Sequence, residues 1–216
     1  MSEKQEILIR KFSYRDRQEV RDLCYQTAFM GKPASIFFEG DILADALTLY
    51  FTDYEPESCF VAVSSDKVVG YLIGSKNVSV LDKVFLQKIA FYLLFKVLNS
   101  DVLIKRKNLL FLLYCSRSFL KGEFRAPDFS KEYPATLHIN MKEGFRGFDI
   151  GSKLISSYLE YLVDQNVPGV HLATMSDQAG QFFTKQGFSL LHESQRSYFR
   201  HILGNNITLY IFGKKL

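Results

Sequence analysis

Apolar residues open the chain as a short run, Ile7-Leu8-Ile9, and after a polar interval Val20, Leu23, Cys24 and Thr27 recur at steps of three and four. The run reads as a strand, and the recurrence as one face of a helix. Ser13, with Asp16 three positions on, supplies the two halves of a capping box for a helix starting near Tyr14. Gly31-Lys32-Pro33 ends that helix. A second helical stretch is predicted over 41–50. Residues 58–64 and 68–75 are two β-rich runs separated by Ser65-Asp66-Lys67 alone, which predicts an antiparallel hairpin.

The middle of the chain is more uniformly apolar. Val84, Phe85, Ile89, Leu93, Leu94, Val97 and Leu98 fit a helix, whereas 109–114 suits a strand or a second helix equally well. Beyond it the pattern sharpens. Residues 136–141 read as a strand, and Ile150, Leu154, Ile155, Tyr158, Leu159 and Leu162 line one face of a helix that stops at Asn166-Val167-Pro168-Gly169. A strand over 170–174, a short helix over 177–186 capped by Gly187, a strand that begins over 188–192 and a last strand over 207–212 complete the series. The pattern holds no repeat and no low-complexity tract.

Composition narrows what such a chain is. Its 216 residues, 47% of them hydrophobic, suffice for one substantial core, and no Pro/Gly/Ser-rich stretch or charge block marks a linker, so residues 1–216 are expected to form a single domain. Cys24, Cys59 and Cys115 are odd in number, far apart and without metal-ligand spacing; His171, His192 and His201 show none either. No metal is expected. The first residues lack a basic segment followed by an apolar run, and with unpaired cysteines this predicts a cytoplasmic location. A formal net charge of +4 with scattered basic residues, Lys105-Arg106-Lys107 excepted, does not call for nucleic acid. The segment 84–98 is interrupted by Gln87, Lys88 and Lys96 and is too short to span a bilayer, so no membrane partner is expected.

Candidate chemistry concentrates in Arg146-Gly147-Phe148-Asp149-Ile150-Gly151-Ser152, between a predicted strand and a predicted helix. Amides at a helix start have no internal partners and sit at the positive end of the helix dipole, so a glycine-bearing turn there can hold a phosphate or pyrophosphate; an ordinary helix start is the plainer alternative. His138 and Asn140 share one face of the preceding strand, and Leu137, Ile139 and Met141 share the other. His138 is the nearby group whose ordinary pKa suits a general base, although a hydrogen-bonded structural histidine is the commoner case.

The run from Leu137 to Leu154 resembles motif A of the Gcn5-related N-acetyltransferase (GNAT) family, with its Arg/Gln-x-x-Gly-x-Gly/Ala signature. One strand and one helix later, Ala179-Gly180-Gln181-Phe182-Phe183-Thr184-Lys185-Gln186-Gly187-Phe188 is similar to the family's Ala-x-x-Phe-Tyr-x-Lys-x-Gly-Phe segment. The resemblance implies an α/β (α+β) GNAT fold: a central mixed, mostly antiparallel twisted sheet of about seven strands flanked by helices, with a helical insertion before the motif strand. It further implies acetyl-CoA as co-substrate, with main-chain groups of Ile139 and Met141 along the pantetheine arm. The amides of Arg146, Gly147, Phe148, Asp149, Ile150, Gly151 and Ser152 would face the pyrophosphate, and Ser176 and Phe183 would lie near the pantetheine and the sulfur.

Three positions depart from the family pattern. Asp149 stands at the middle glycine and brings a carboxylate to a phosphate turn. Ser176 stands where many members have Asn. Phe183 replaces a tyrosine that donates a proton to the departing thiolate, and a phenyl ring cannot donate; Tyr198, Ser176 or water would have to take its place. The expected function is therefore transfer of acetyl from acetyl-CoA to a primary amine, on a small molecule or a peptide, by direct attack in a ternary complex. His138 and Tyr198 are the catalytic candidates. A weak or inactive acyl-CoA-binding module of the same fold and a non-acetyl acyltransferase are the alternatives, a homodimer is left open, and the segment 78–131 is expected to wall or cover the acceptor site.

Overall fold

The structure, a computed structural model, describes residues 6–146 and 149–216. Strand β1 (Leu8–Lys11) leads through a 3₁₀ turn into helix α1 (Arg17–Thr27), and α2 (Ile42–Asp53) follows. Asp16 accepts the Ser13 N–H at 2.8 Å and is gripped by both Arg10 guanidinium nitrogens at 2.6 and 2.8 Å, so the expected box fixes the entry to α1. Strands β2 (Phe60–Ser64) and β3 (Lys67–Ser75) form the expected hairpin. Its turn residues Ser65 and Asp66 both have positive φ, the geometry that matches strand twist in a two-residue hairpin loop.

Between β3 and the next strand lies the insertion: α3 (Val78–Val84), a π-helical turn (Phe85–Ile89), α4 (Ala90–Leu98) and α5 (Arg106–Leu120). The stretch 109–114, open to two readings in the sequence, is helical and lies inside α5. The C-terminal half is β4 (Ala135–Met141), α6 (Ile150–Asp164), β5 (Gly169–Thr174), α7 (Asp177–Lys185), β6 (Ser189–Arg196), the short α8 (Arg200–Leu203) and β7 (Ile207–Lys215). Strand β6, expected to begin over 188–192, runs on to Arg196, paired along its length with β7.

The seven strands order as β1-β2-β3-β4-β5-β7-β6, all neighbours antiparallel except β4 and β5. One sheet face packs on α6 and α7 through Leu72, Leu137, Leu154, Ile155, Tyr158 and Leu162, nearly all fully buried. Each such side chain contributes roughly 1.5–3 kcal/mol of hydrophobic burial. The other face packs on α1 through Val20, Leu23, Val61, Tyr71 and Ile73. A third cluster, with Phe29, Phe37 and Phe199 at its centre, joins the α1–α2 loop to the inner edges of α4 and α5 through Leu93, Val97 and Phe111. Among the described residues, no helix is long and apolar enough to cross a membrane.

Candidate active site

Strands β4 and β5 pair at only two positions, Ala135↔Val170 and Thr136↔His171. Beyond these, β4 continues along β3 to Met141 while β5 continues along β7 to Thr174, so the sheet opens between them. Tyr158 anchors the point of divergence. Its hydroxyl lies 2.8 Å from the Thr136 carbonyl and 3.1 Å from that of Ser75. The opening is a cavity of about 530 Å³ bounded by β4, β5, the starts of α6 and α7, and the end of α1. That volume lies in the range of small-ligand sites.

The register decides which backbone groups face the gap. Lys142 N–H donates to Val69 O at 2.8 Å, and residues of an antiparallel ladder alternate between hydrogen-bonded and non-hydrogen-bonded pairs. His138 and Asn140 therefore spend their main-chain groups on β3. Leu137, Ile139 and Met141 turn theirs toward the space β5 has vacated.

At one end of the gap stands the turn before α6. The first intrahelical bond runs from Lys153 N–H to Asp149 O, which leaves the amides of Ile150, Gly151 and Ser152 without helical acceptors. Among the described residues no side chain caps them: Asp149 holds the N-cap position with φ 60° and ψ 9°, and its exposed carboxylate makes no capping bond. This left-handed conformation is the one glycine takes most readily, and Asp is among the few other residues that tolerate it. The departure from the motif glycine thus preserves the turn. Gly151 is needed for space: a Cβ there would stand 3.0 Å from Phe182 Cζ and 3.2 Å from Met141 Cε. The Ile150 side chain is buried in the core. Gly147 and Phe148 lie outside the described residues.

Arg146 reaches from this turn to the loop after α1, its guanidinium donating to Gly31 O at 3.2 Å. Gly31 (φ +84°) makes the approach feasible, since a Cβ would stand 2.9 Å from Arg146 Nη1. The sequence marked Gly31 only as the end of a helix. In space Thr27, Ala28, Met30 and Gly31 form a wall of the cavity, and no local pattern signals this.

On the β4 wall, Asn140 Nδ2 donates to Tyr71 Oη at 3.0 Å and lies 3.2 Å from His138 Nε2. With the amide as donor, Nε2 accepts and the imidazole proton is assigned to Nδ1. Burial holds the His138 pKa down at about 4, so the ring is neutral at physiological pH. It lines the cavity but is enclosed by protein elsewhere.

Ser152 Oγ accepts from Gln186 Nε2 at 3.0 Å, tying the start of α6 to the end of α7. Ser176 caps α7, its Oγ accepting the Ala179 N–H at 3.3 Å. Phe183 is 4% exposed, and its ring closes the cavity floor without offering a proton. Tyr198 is not among the cavity-lining residues: its hydroxyl donates to Met175 Sδ at 3.1 Å, its ring stacks on Phe124, and burial pushes its pKa up to about 12. It stands behind Met175, which is itself part of the lining. The insertion does not line the cavity either. None of residues 78–131 does, so the expected wall or lid is not part of this cavity. No group of three or more His, Cys, Asp or Glu is arranged to hold a metal among the described residues.

Comparison with solved structures decides the fold. The protein solved as SsHAT covers 97% of this chain and 98% of its own at TM-score 0.68 and 20% identity. The chain has the GNAT fold. Drosophila melanogaster polyamine N-acetyltransferase, which catalyses formation of N-acetylagmatine, superposes at TM-score 0.64 and 13% identity over 98% of this chain and 100% of that one. yncA from Salmonella typhimurium, solved with its cofactor acetyl-CoA, does so at 0.58 and 12% over 97% and 94%. No protein-family model and no curated protein matches the sequence. The GNAT fold therefore rests on three-dimensional likeness, and the splayed β4–β5 pair lies at its centre.

Proposed function

We propose that this GNAT-fold chain transfers an acetyl group from acetyl-CoA to a primary amine of a small molecule or peptide by direct attack in a ternary complex. The observation that carries the reading is the cavity between β4 and β5, lined at one end by Gly151 and Ser152 of a helix start whose first amides have no partner among the described residues. The residues fit the coenzyme. Unpartnered N–H groups at a helix start suit a pyrophosphate, the bare Cα of Gly151 allows close approach, and the outward main-chain groups of Ile139 and Met141 match the alternating polar groups of a pantetheine arm. Arg146 adds a positive charge beside the turn.

The coenzyme supplies an activated acyl carbon and a thiolate that leaves readily. The chain's task is to align, polarise and exclude water. Main-chain N–H groups on the gap side of β4 are fixed donors for a developing oxyanion. His138 is neutral, and its one basic nitrogen, Nε2, faces Asn140, so it takes up the proton that an attacking amine releases only once that hydrogen bond yields. With its low proton affinity it does so late, once carbon–nitrogen bond formation has acidified the amine. Phe183 cannot donate and the Tyr198 hydroxyl is directed at Met175, which leaves the thiolate to be protonated by Ser176 or water.

Phe183 at the place of a proton-donating tyrosine, with Tyr198 outside the lining, favours a second reading, a module that binds the acyl-CoA and turns it over weakly or not at all. Thermal-shift titration with acetyl-CoA and with free coenzyme A tests binding. A rise in Tm with both ligands is expected, and no shift with either would sink both readings. Thiol release across a panel of polyamines, agmatine-like guanidino amines and peptide N-termini separates them: release with any amine supports the enzyme, and binding without release supports the module.

A further inference from the structure

The connection from β3 to β4, residues 76–134, is unlike the rest of the chain in two respects. It carries eleven Lys and Arg against five Asp and Glu, a formal +6, while the other residues carry sixteen against eighteen, a formal −2. It also supplies sixteen of the twenty-four exposed large hydrophobic side chains among the described residues. A patch this apolar on a soluble surface marks an interaction site.

Helix α5 is turned inside out. It buries Asn108 and Ser118 completely and leaves Leu113, Phe119 and Leu120 63%, 71% and 85% exposed. The inward polar groups are fully used. Asn108 accepts from Glu39 N–H at 2.7 Å and donates to the Glu39 and Val102 carbonyls, and Ser118 shares a hydrogen bond with Ser197 Oγ at 3.1 Å. The orientation is therefore locked by the fold. Along the outward side, Arg106, Leu109, Leu113, Arg117 and Leu120 recur at steps of three and four, so the basic and apolar residues share one stripe.

Helix α4 repeats the arrangement. It seats Leu93 and Val97 on the same inner cluster that receives Phe111 of α5, and it turns Phe91, Leu94, Phe95 and Leu98 outward. Between the two helices Ile104 is 80% exposed, directly before Lys105-Arg106-Lys107. Arg106 and Arg117 have no carboxylate within 4 Å among the described residues, and Lys83 and Arg125 have none either.

We infer that the outward faces of α4 and α5 dock the protein on an anionic phospholipid surface, lying in the headgroup plane with their Phe and Leu side chains among the acyl chains. Nine- and fifteen-residue helices are too short to span a bilayer but suit an interfacial position. The unpaired guanidinium and ammonium groups match phosphate headgroups. A second copy of the chain is the poorer occupant, because it would set a +6 surface against its like. The expectation of no membrane partner followed from asking whether a segment spans, a different question from whether a face adsorbs.

Flotation of the full chain with vesicles tests the inference. Binding is expected to vesicles of equal parts phosphatidylcholine and phosphatidylglycerol, not to pure phosphatidylcholine, and is expected to weaken at about 0.5 M salt. Phe91→Ser/Phe95→Ser and Arg106→Glu/Arg117→Glu should each retain the wild-type Tm, with the charge-reversed pair losing affinity by about tenfold or more. Wild-type protein that stays with the unbound fraction overturns the proposal. So does binding that neither double variant weakens, or a dimer by light scattering that Phe91→Ser/Phe95→Ser dissociates and that vesicles do not compete away.

Discussion

Helices α6 and α7 begin at the same cavity and treat their free amides in opposite ways. At α7, Ser176 turns its hydroxyl back on the Ala179 N–H and closes the helix end with the protein's own oxygen. At α6 the N-cap is Asp149, whose backbone is left-handed and whose carboxylate makes no capping bond, so the first three amides have no partner among the described residues. One end is built for stability and the other retains binding capacity at a cost in stability. An uncapped helix start forgoes about 1 kcal/mol, and a non-glycine residue in the left-handed region adds roughly another. On the proposed function, that sacrifice at α6 alone is the reason to look for the ligand's anionic end at this turn.

The largest effect sets the conditions under which the two ends can be compared. The His138 pKa is about 4 in the folded state against an ordinary value near 6.5, so the unfolded chain binds the proton first. The stability from keeping this ring neutral is complete above pH 6.5 and is lost as pH falls toward 4, on the order of 3 kcal/mol in all. Urea unfolding at pH 7, 5 and 4 should show this loss, and His138→Gln should flatten it. An unchanged slope in that variant would mean that another group carries the acid sensitivity.

Next in size is Gly151→Val at neutral pH. Its branched side chain would press on Phe182 and Met141, costing roughly 1–3 kcal/mol by overpacking, and would shield the open amides. Loss of the coenzyme-induced thermal shift is expected; a retained shift would move the anion site away from α6. Ser176→Ala should lower stability by about 1 kcal/mol, read as a Tm decrease, while the coenzyme-induced shift persists. The smallest effect belongs to Asp149→Asn. It keeps a side chain that tolerates the left-handed backbone and removes the charge, so coenzyme affinity measured by calorimetry should rise a few-fold with Tm within a degree or two. If Ser176→Ala weakened binding as much as Gly151→Val, the contrast between the two helix ends would fail.

The elements on which this contrast rests were legible because their signals are local. The hairpin follows from a turn between two β-rich runs, α6 from six apolar residues at helical spacing, and the end of α7 from Gly187. The splay between β4 and β5 was not legible. It depends on where a pairing between residues far apart in sequence stops, and nothing in Leu137 to Met141 records that. Tyr198 illustrates the same limit: its chemistry suits an acid, but Met175 stands between it and the cavity. In α5 the apolar residues were visible while their direction was not, because periodicity distinguishes two faces without saying which one is inside. The buried Asn108 and Ser118 reverse the usual answer there.

The early parting of β4 from its parallel neighbour also leaves a signature in time. Along this one strand, amides committed to β3 alternate with amides facing the gap, so deuterium uptake should run slow at His138 and Asn140 and fast at Ile139 and Met141. A bound pantetheine arm would occupy the fast set and even out the rhythm, making β4 its own reporter of occupancy.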